Sequence, residues 1–371
     1  MHSDVILVLV IGTALAFDFT NGFHDTANVV ATAISTRAVP PRMAIAIASL
    51  LNFVGAFISL KVAATVAKGI IDPKVVEHAP AIVFGGLIGA ISWNVITWYF
   101  GLPSSSSHAL IGGVVGAALA SQGGKAVMSD GLLGKVVIPA VVAPVLAFVV
   151  AAIAILLCYA IVGRLRPGPV SSGFKAGQLL SGGMLALAHG TNDAQKTMGV
   201  MVLALVAHGD ISASHIHVPH WVVITAASAI AVGTYAGGWR IIKTMGTRII
   251  KMDSAQGFAA QGSGAAVILA ASHVGFPLST THVISGGVMG AGAAKRVSAV
   301  RWGVAGNIVL AWIVTIPAAG AIGAAIYGIT RSFGANSEAG PVVVAAVILV
   351  GIAAVFARRV RRGSPLTAPG V

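Results

Sequence analysis

Hydrophobic runs alternate with short polar turns along the whole chain. Uninterrupted apolar stretches, long enough to cross about 30 Å of hydrocarbon as helix, fall at residues 43–60, 80–100, 136–162, 219–239, 302–328 and 340–357. Four others, at 5–36, 104–121, 177–207 and 256–294, carry Gly, Pro, Asn, Asp, Ser or Thr near their middles. These predict broken helices or re-entrant hairpins, because irregular backbone at membrane depth survives only where protein or water covers it. The expected fold is an all-α polytopic membrane protein whose function sits at the interruptions.

An internal repeat accounts for where the interruptions fall. GFHDTAN (22–28) aligns with GTNDAQK (190–196), and GLPSSSSHALIGGVVGA (101–117) with GFPLSTTHVISGGVMGA (275–291). Two motifs recurring in order, at offsets of 168 and 174 residues, mark a duplicated unit. Residues 1–165 are read as the first membrane repeat and 166–330 as the second. Residues 331–371 add a C-terminal membrane helix and a basic tail.

Composition makes lipid the solvent: 57% of the 371 residues are hydrophobic and only 9% charged, too few charges for a soluble surface of this size. A net charge of +13 would turn a soluble chain toward nucleic acid. Here the basic residues cluster between apolar runs, where the positive-inside rule uses them, and nucleic acid is excluded as a partner. Cys158 is the single cysteine, which excludes an internal disulfide. Asp4 stands where a cleaved leader would carry basic residues, so the first run is expected to be retained.

The clusters at Arg37 and Arg42, 164–175, 240–251, 295–301 and 358–362 are placed in the cytoplasm, and the loops 61–77, 121–135, 208–220 and 331–338 outside. The loop after the first motif is basic, whereas its counterpart, HGDISASHIHVPH (208–220), has neither Lys nor Arg. The halves therefore face opposite ways, as inverted-topology repeats in a plasma membrane with the N-terminus outside and the C-terminus cytoplasmic. Inverted repeats are typical of secondary transporters. The chain has no G-x-x-x-x-G-K-[ST] motif for ATP, so ion gradients are the expected driving force.

The candidate chemistry is symmetric. Asp25 and Asp193 occupy the same place in the two repeats within apolar sequence, where ionisable groups usually line a pathway; the alternative is a pair of helix-capping aspartates. Asp18 lacks a counterpart and ranks lower. The runs Ser104 to His108 and Ser279 to His282 each follow a proline (Pro103, Pro277) and precede a Gly-rich helix. Hydroxyls and free N–H groups at such helix starts make an anion cradle suited to a tetrahedral oxyanion, unless the hydroxyls bond back to their own helix. His24, Asn192, Asn21, Thr26, Asn28, Thr191 and Gln195 extend the polar set, and Lys196 requires a carboxylate or an anionic ligand. His108, His282, His189 and His273 are read singly as ring donors to backbone, and the 208–220 histidines as a solvated loop. Glycines at four-residue spacing, such as Gly112 with Gly116 and Gly286 with Gly290, predict close helix approach.

The paired GFHDTAN and GTNDAQK segments, with PSSSSH and PLSTTH, resemble the inorganic phosphate transporter (Pit) family over nearly the whole chain. The resemblance implies a secondary transporter, frequently a homodimer, that holds phosphate between the repeats. It implies a phosphate shell of Thr26, Ser105, Ser106, Asn192, Thr280 and Thr281. Asp25 and Asp193 become the coupling-ion carboxylates, and also the ligands of any metal, with His24 and Lys196 beside them. Asn21, Asn28, His108, Gln195 and His282 form a second rank. Sodium-coupled members resemble G-x-N-D-x-x-N in both halves; His24 at the first Asn and Lys196 at the last resemble the bacterial proton-coupled branch. No cofactor is implied, although a divalent cation such as magnesium or calcium could travel with phosphate as a neutral complex. Members often carry a carboxylate near the position of Gln261, so no role is transferred there.

Two other readings stay open. A sodium-coupled phosphate or a sulfate permease would use the same cradle, but only phosphate near neutrality still donates a hydrogen to Asp25 or Asp193. An intramembrane hydrolase using a serine with His108 or His282 is disfavoured, since the candidate nucleophiles come as a symmetric pair with no third orienting group.

Overall fold

The computed structural model describes residues 4–77, 79–334 and 337–361; of the helix and basic tail expected over 331–371, residues 335, 336 and 362–371 lie outside them. Among the described residues the chain is helical, with a single isolated bridge between Ile71 and Val127. The first half contains α1 (Asp4–Ser35), α2 (Pro41–Gly55), α3 (Lys61–Gly69), α4 (Pro73–Val76), α5 (Pro80–Phe100), α6 (Ser106–Gln122), α7 (Ser129–Leu132) and α8 (Ile138–Val162). The second contains α9 (Pro167–His208), α10 (His220–Ala236), α11 (Trp239–Lys243), α12 (Ser254–His273), α13 (Thr280–Lys295) and α14 (Trp302–Arg331), and α15 (Ala339–Arg361) follows.

Proline explains most of the breaks. Pro103 and Pro277 lie in the gaps before α6 and α13, where a residue without an N–H cannot continue a helix. Ser105 and Ser279 cap the new helices, accepting from the N–H groups of His108 at 3.1 Å and His282 at 3.3 Å. The breaks expected inside 5–36 and 177–207 do not occur: α1 has no proline, and α9 has none beyond Pro169, so both helices run unbroken through their polar motifs. Polar side chains alone leave the backbone ladder intact.

Two predicted spans are shorter than expected. The run at 43–60 stops at Gly55, leaving α2 at 15 residues, too short to cross hydrocarbon. The run at 219–239 turns at Gly237, whose φ of 71° suits glycine, and the helices on either side are bent by 61°. By length and composition α1, α5, α14 and the continuous Ser129–Val162 segment are able to span a membrane, and the bent pair makes a fifth. In α5, 61% of the apolar stretch is buried within the protein, against 17% in Ser129–Val162. Thus α5 lies in the interior, whereas α8 presents residues such as Val145, Leu156 and Ile161 outward.

Helices exchange partners between the halves: α6 packs on α14, and α13 on α8. A Cβ at Gly112 or Gly116 would strike the carbonyls of Ile316 or Gly320, and one at Gly286 or Gly290 those of Pro144 or Phe148. The four-residue glycine spacing thus performs the close approach it predicts. Pro144 also lies inside α8 and frees the carbonyl of Ala140, which His282 Nδ1 approaches to 3.2 Å.

Gly116→Leu and Gly290→Leu are expected to cost about 1–3 kcal/mol each by overpacking, seen as a lower melting temperature in detergent. Gly303→Ala, with nothing within 4 Å of the added Cβ, should melt like the parent.

Candidate functional site

Four elements converge: the middles of α1 and α9, and the N-terminal starts of α6 and α13. Every side chain they contribute is buried, so each charge must find its partner inside the protein. Asp25 Oδ1 lies 2.6 Å from His24 Nδ1 and accepts from Ser106 at 3.2 Å and Thr281 at 3.4 Å. Asp193 Oδ2 accepts from Thr280 at 3.2 Å and lies 3.3 Å from His189 Nε2. Its Oδ1 is 2.6 Å from Lys196 Nζ. The ammonium also donates to Ser107 Oγ and, at 2.6 Å, to the carbonyl of Leu278. Three acceptors match its three N–H bonds, so the carboxylate of Asp193 supplies the anion that the sequence demanded.

Asn28 joins the group by donating to Thr281 at 2.9 Å and Thr280 at 3.4 Å. His24 turns its other nitrogen toward Thr97 at 3.2 Å and Ser104 at 3.4 Å. His108 and His282, equivalent in the two motifs, touch edge to face at 4.6 Å, and His282 stacks on Trp312 at 4.0 Å. The two hairpins therefore meet directly.

Other expected members are placed differently. Thr26 gives its hydroxyl to the carbonyls of Gly22 and Thr234, away from the cradle. Ser105 is spent on the α6 cap. Asn192 reaches Ser272 at 2.8 Å and the Phe276 carbonyl at 3.1 Å, holding the turn before α13. Gln195 accepts from the N–H groups of Val62 and Ala63 and so fastens the start of α3. The Oδ1 of Asn21 lacks a hydrogen bond.

Two participants receive a role from the structure that the sequence did not assign: Ser107, named only as part of its run, and His189, expected only to bond backbone. Ser107 aligns with Thr281 in the repeat, a correspondence that would have selected it in place of Ser105. His189 stands one helical turn before Asp193, and its equivalent in the first repeat is Asn21, so no symmetric histidine pair drew attention to it. Asp25, Asp193 and His189 each offer a ligand atom within 4.8 Å of the others. Two carboxylates and an imidazole can serve a divalent cation, while the hydroxyls and helix starts favour an anion. A cavity of about 430 Å³ lies elsewhere, near Lys74, Ser121 and Tyr327.

The profile of the Phosphate transporter family matches the chain twice, over residues 21–171 and 164–323. The chain is 50% identical over 329 residues to a Mycobacterium tuberculosis (strain H37Rv) protein named probable low-affinity inorganic phosphate transporter, covering 89% of this chain and 78% of that one. A Bacillus subtilis protein of the same name is 41% identical over 323 residues, covering 87% and 96%. The fold is similar to the solved structure of a sodium-dependent phosphate transporter, with a TM-score of 0.78, 25% identity, and coverage of 88% of this chain and 99% of that one. None of these names describes an enzyme.

Lys196→Met leaves Asp193 without its cation and is expected to cost about 3–5 kcal/mol, measured as thermal unfolding in detergent. Adding Asp193→Asn to that variant should restore much of the loss, because no buried charge then lacks a partner.

Proposed function

The chain belongs to the phosphate transporter family, and on that premise we propose that it imports inorganic phosphate across the plasma membrane by proton symport. The observation carrying this reading is that Ser106, Thr280 and Thr281, at the starts of α6 and α13, donate to the carboxylates of Asp25 and Asp193. Two carboxylates thus hold hydroxyls that an entering phosphate would need. Protonating a carboxylate weakens its hold on those hydroxyls and removes its repulsion toward phosphate. His24, 2.6 Å from Asp25, is placed to exchange that proton. Phosphate retaining a hydrogen can also donate to an ionised carboxylate, which sulfate cannot.

Charge sets the demand for co-transported cations. Each negative charge moved inward against an inside-negative potential costs about 2.3 kcal/mol per 100 mV. A divalent phosphate with one proton is still opposed; one further proton makes the unit neutral, and two, or one divalent metal with a proton alongside, make it positive so that the potential draws it inward. The Asp25, His189 and Asp193 cluster supports the metal-phosphate form as a second reading. Lys196 Nζ beside Asp193 weighs against sodium, because a fixed cation stands where a sodium ligand would be.

We read residues 1–165 and 166–330 as inverted repeats about this site. Asp25 meets His189 and Asp193, whereas Asp18, two turns earlier on α1, lies beside Thr197, farther along α9. Equivalent helices thus run in opposed directions where they touch, which supports the reading.

In proteoliposomes, an inward proton gradient without sodium should drive labelled phosphate uptake, and magnesium or calcium should enhance it. Uptake that requires sodium and ignores the proton gradient would refute proton symport. Asp25→Asn and Asp193→Asn should each largely abolish uptake. Ser106→Ala, Thr280→Ala and Thr281→Ala should each weaken phosphate affinity roughly ten- to a hundredfold, as expected for a hydrogen bond to a charged ligand worth about 1.5–3 kcal/mol. Ser105→Ala should instead cost about 1 kcal/mol of stability through its cap.

A further inference from the structure

Asp18 is fully buried in α1 beside two potential donors, and neither of its carboxylate oxygens makes a hydrogen bond of normal geometry. Asn21 and Thr197 stand beside it, and Asn21 Oδ1 and Thr197 Oγ1 are likewise without partners. Thr197 shares this with Thr32 but departs from most buried helical threonines of the chain. Thr26, Thr191, Thr225 and Thr315 each return their hydroxyl to the carbonyl four residues earlier, the ordinary course for threonine inside a helix. Four polar atoms on two helices, with the Thr197 hydroxyl the one donor among them, therefore stand together.

An ionised carboxylate in that setting is strongly disfavoured unless something neutralises it. The nearby charges are Asp193 and Lys196 on α9, with His24 and Asp25 farther along α1. Lys196 is already shared among Asp193, Ser107 and Leu278. The helices α5 and α10, which pack on α1, carry no Asp, Glu, Lys or Arg.

A metal cation fits this cluster poorly. Hard cations take about six oxygens, often including backbone carbonyls. Here α1 and α9 are unbroken, so their carbonyls are held in helical hydrogen bonds, and the cluster offers four side-chain oxygens. A single proton fits. Placed on one oxygen of Asp18, it donates to Asn21 Oδ1, while the Thr197 hydroxyl donates to the other oxygen. Every orphaned atom then has a partner, and the buried charge is gone.

We infer that Asp18, with Asn21 and Thr197, is a proton-binding site of the transport cycle, separate from the Asp25 and Asp193 centre. The inference rests on the proton-symport reading and adds a carrier to it. The site takes a proton from water on one side as a neutral acid and returns it on the other, leaving the carboxylate to be reprotonated. It lies about 10 Å from Asp25, two turns along the same face of α1, so it can load without displacing phosphate.

The test uses the full chain in proteoliposomes containing a pH-sensitive dye. Asp18→Asn imitates the neutral acid, with an amide able to donate to Asn21 and accept from Thr197. It should retain phosphate–phosphate exchange within about twofold while losing at least tenfold of its proton-driven accumulation, and fewer protons should enter per phosphate. Asp18→Glu should restore part of the accumulation. If Asp18→Asn accumulates phosphate with the parent's response to a proton gradient, the Asp18 site is overturned and symport through Asp25 stands. If the parent itself ignores the proton gradient, the symport reading fails, and the carrier role fails with it. Infrared spectroscopy gives a readout independent of transport: a protonated-carboxyl band in the parent should vanish in Asp18→Asn and shift in Asp18→Glu. A parent spectrum in which neither substitution changes such a band overturns the site even if Asp18→Asn proves unstable.

Discussion

Charges removed from water must be neutralised within reach of a hydrogen bond, and that constraint organises the centre of this protein. Asp25, Asp193 and Lys196 are all buried, and no solvent is available to screen them. Lys196 closes on Asp193, and the remaining carboxylate oxygens draw hydroxyls from α6 and α13. Those hydroxyls can be there only because both helices begin in the interior. The breaks before α6 and α13 follow from the need to bring short polar donors and free N–H groups to two carboxylates.

Holding helix starts at that depth requires support from outside the hairpins. Each is clamped by a long helix of the opposite half, α14 behind α6 and α8 behind α13. Glycines at four-residue spacing allow backbone contact on both sides. His282 adds a polar fastening by reaching the Ala140 carbonyl that Pro144 leaves free. Since His108 and His282 also touch each other, neither hairpin can shift without disturbing the other and the long helix behind it. The position of the donors is thus a property of both halves together.

The two halves are chemically unequal at the centre. Asn28 donates to Thr280 and Thr281, whereas its equivalent, Lys196, carries a charge and holds Asp193. Asp25 instead faces His24, whose counterpart Asn192 is occupied with Ser272 and Phe276. Both carboxylates thus lie beside an imidazole, His24 for Asp25 and His189 for Asp193, but only Asp193 also holds a lysine. Two related motifs thus hold an unequal pair of acids.

By itself the sequence determined whatever depends on local composition and on recurrence. Apolar length marked α5, α8 and α14; Pro103 and Pro277 marked the two hairpin breaks; and the duplicated motifs singled out Asp25, Asp193 and the runs at 104–108 and 279–282. Tertiary structure alone decided which partner each polar atom took, because a hydroxyl bonds to whichever acceptor lies about 3 Å away and spacing along one helix does not reveal that neighbour. Hence Thr26 and Ser105 resemble Ser106 and Thr280 in the chain but are spent on carbonyls and a cap. Ser107 and His189 take their roles from Lys196 and Asp193, neighbours that only the fold supplies. The unbroken course of α1 and α9 has the same origin: Asn, Asp and Gly inside an apolar run suggest a break, but the helix holds when neighbouring helices satisfy the side chains and no proline removes an N–H.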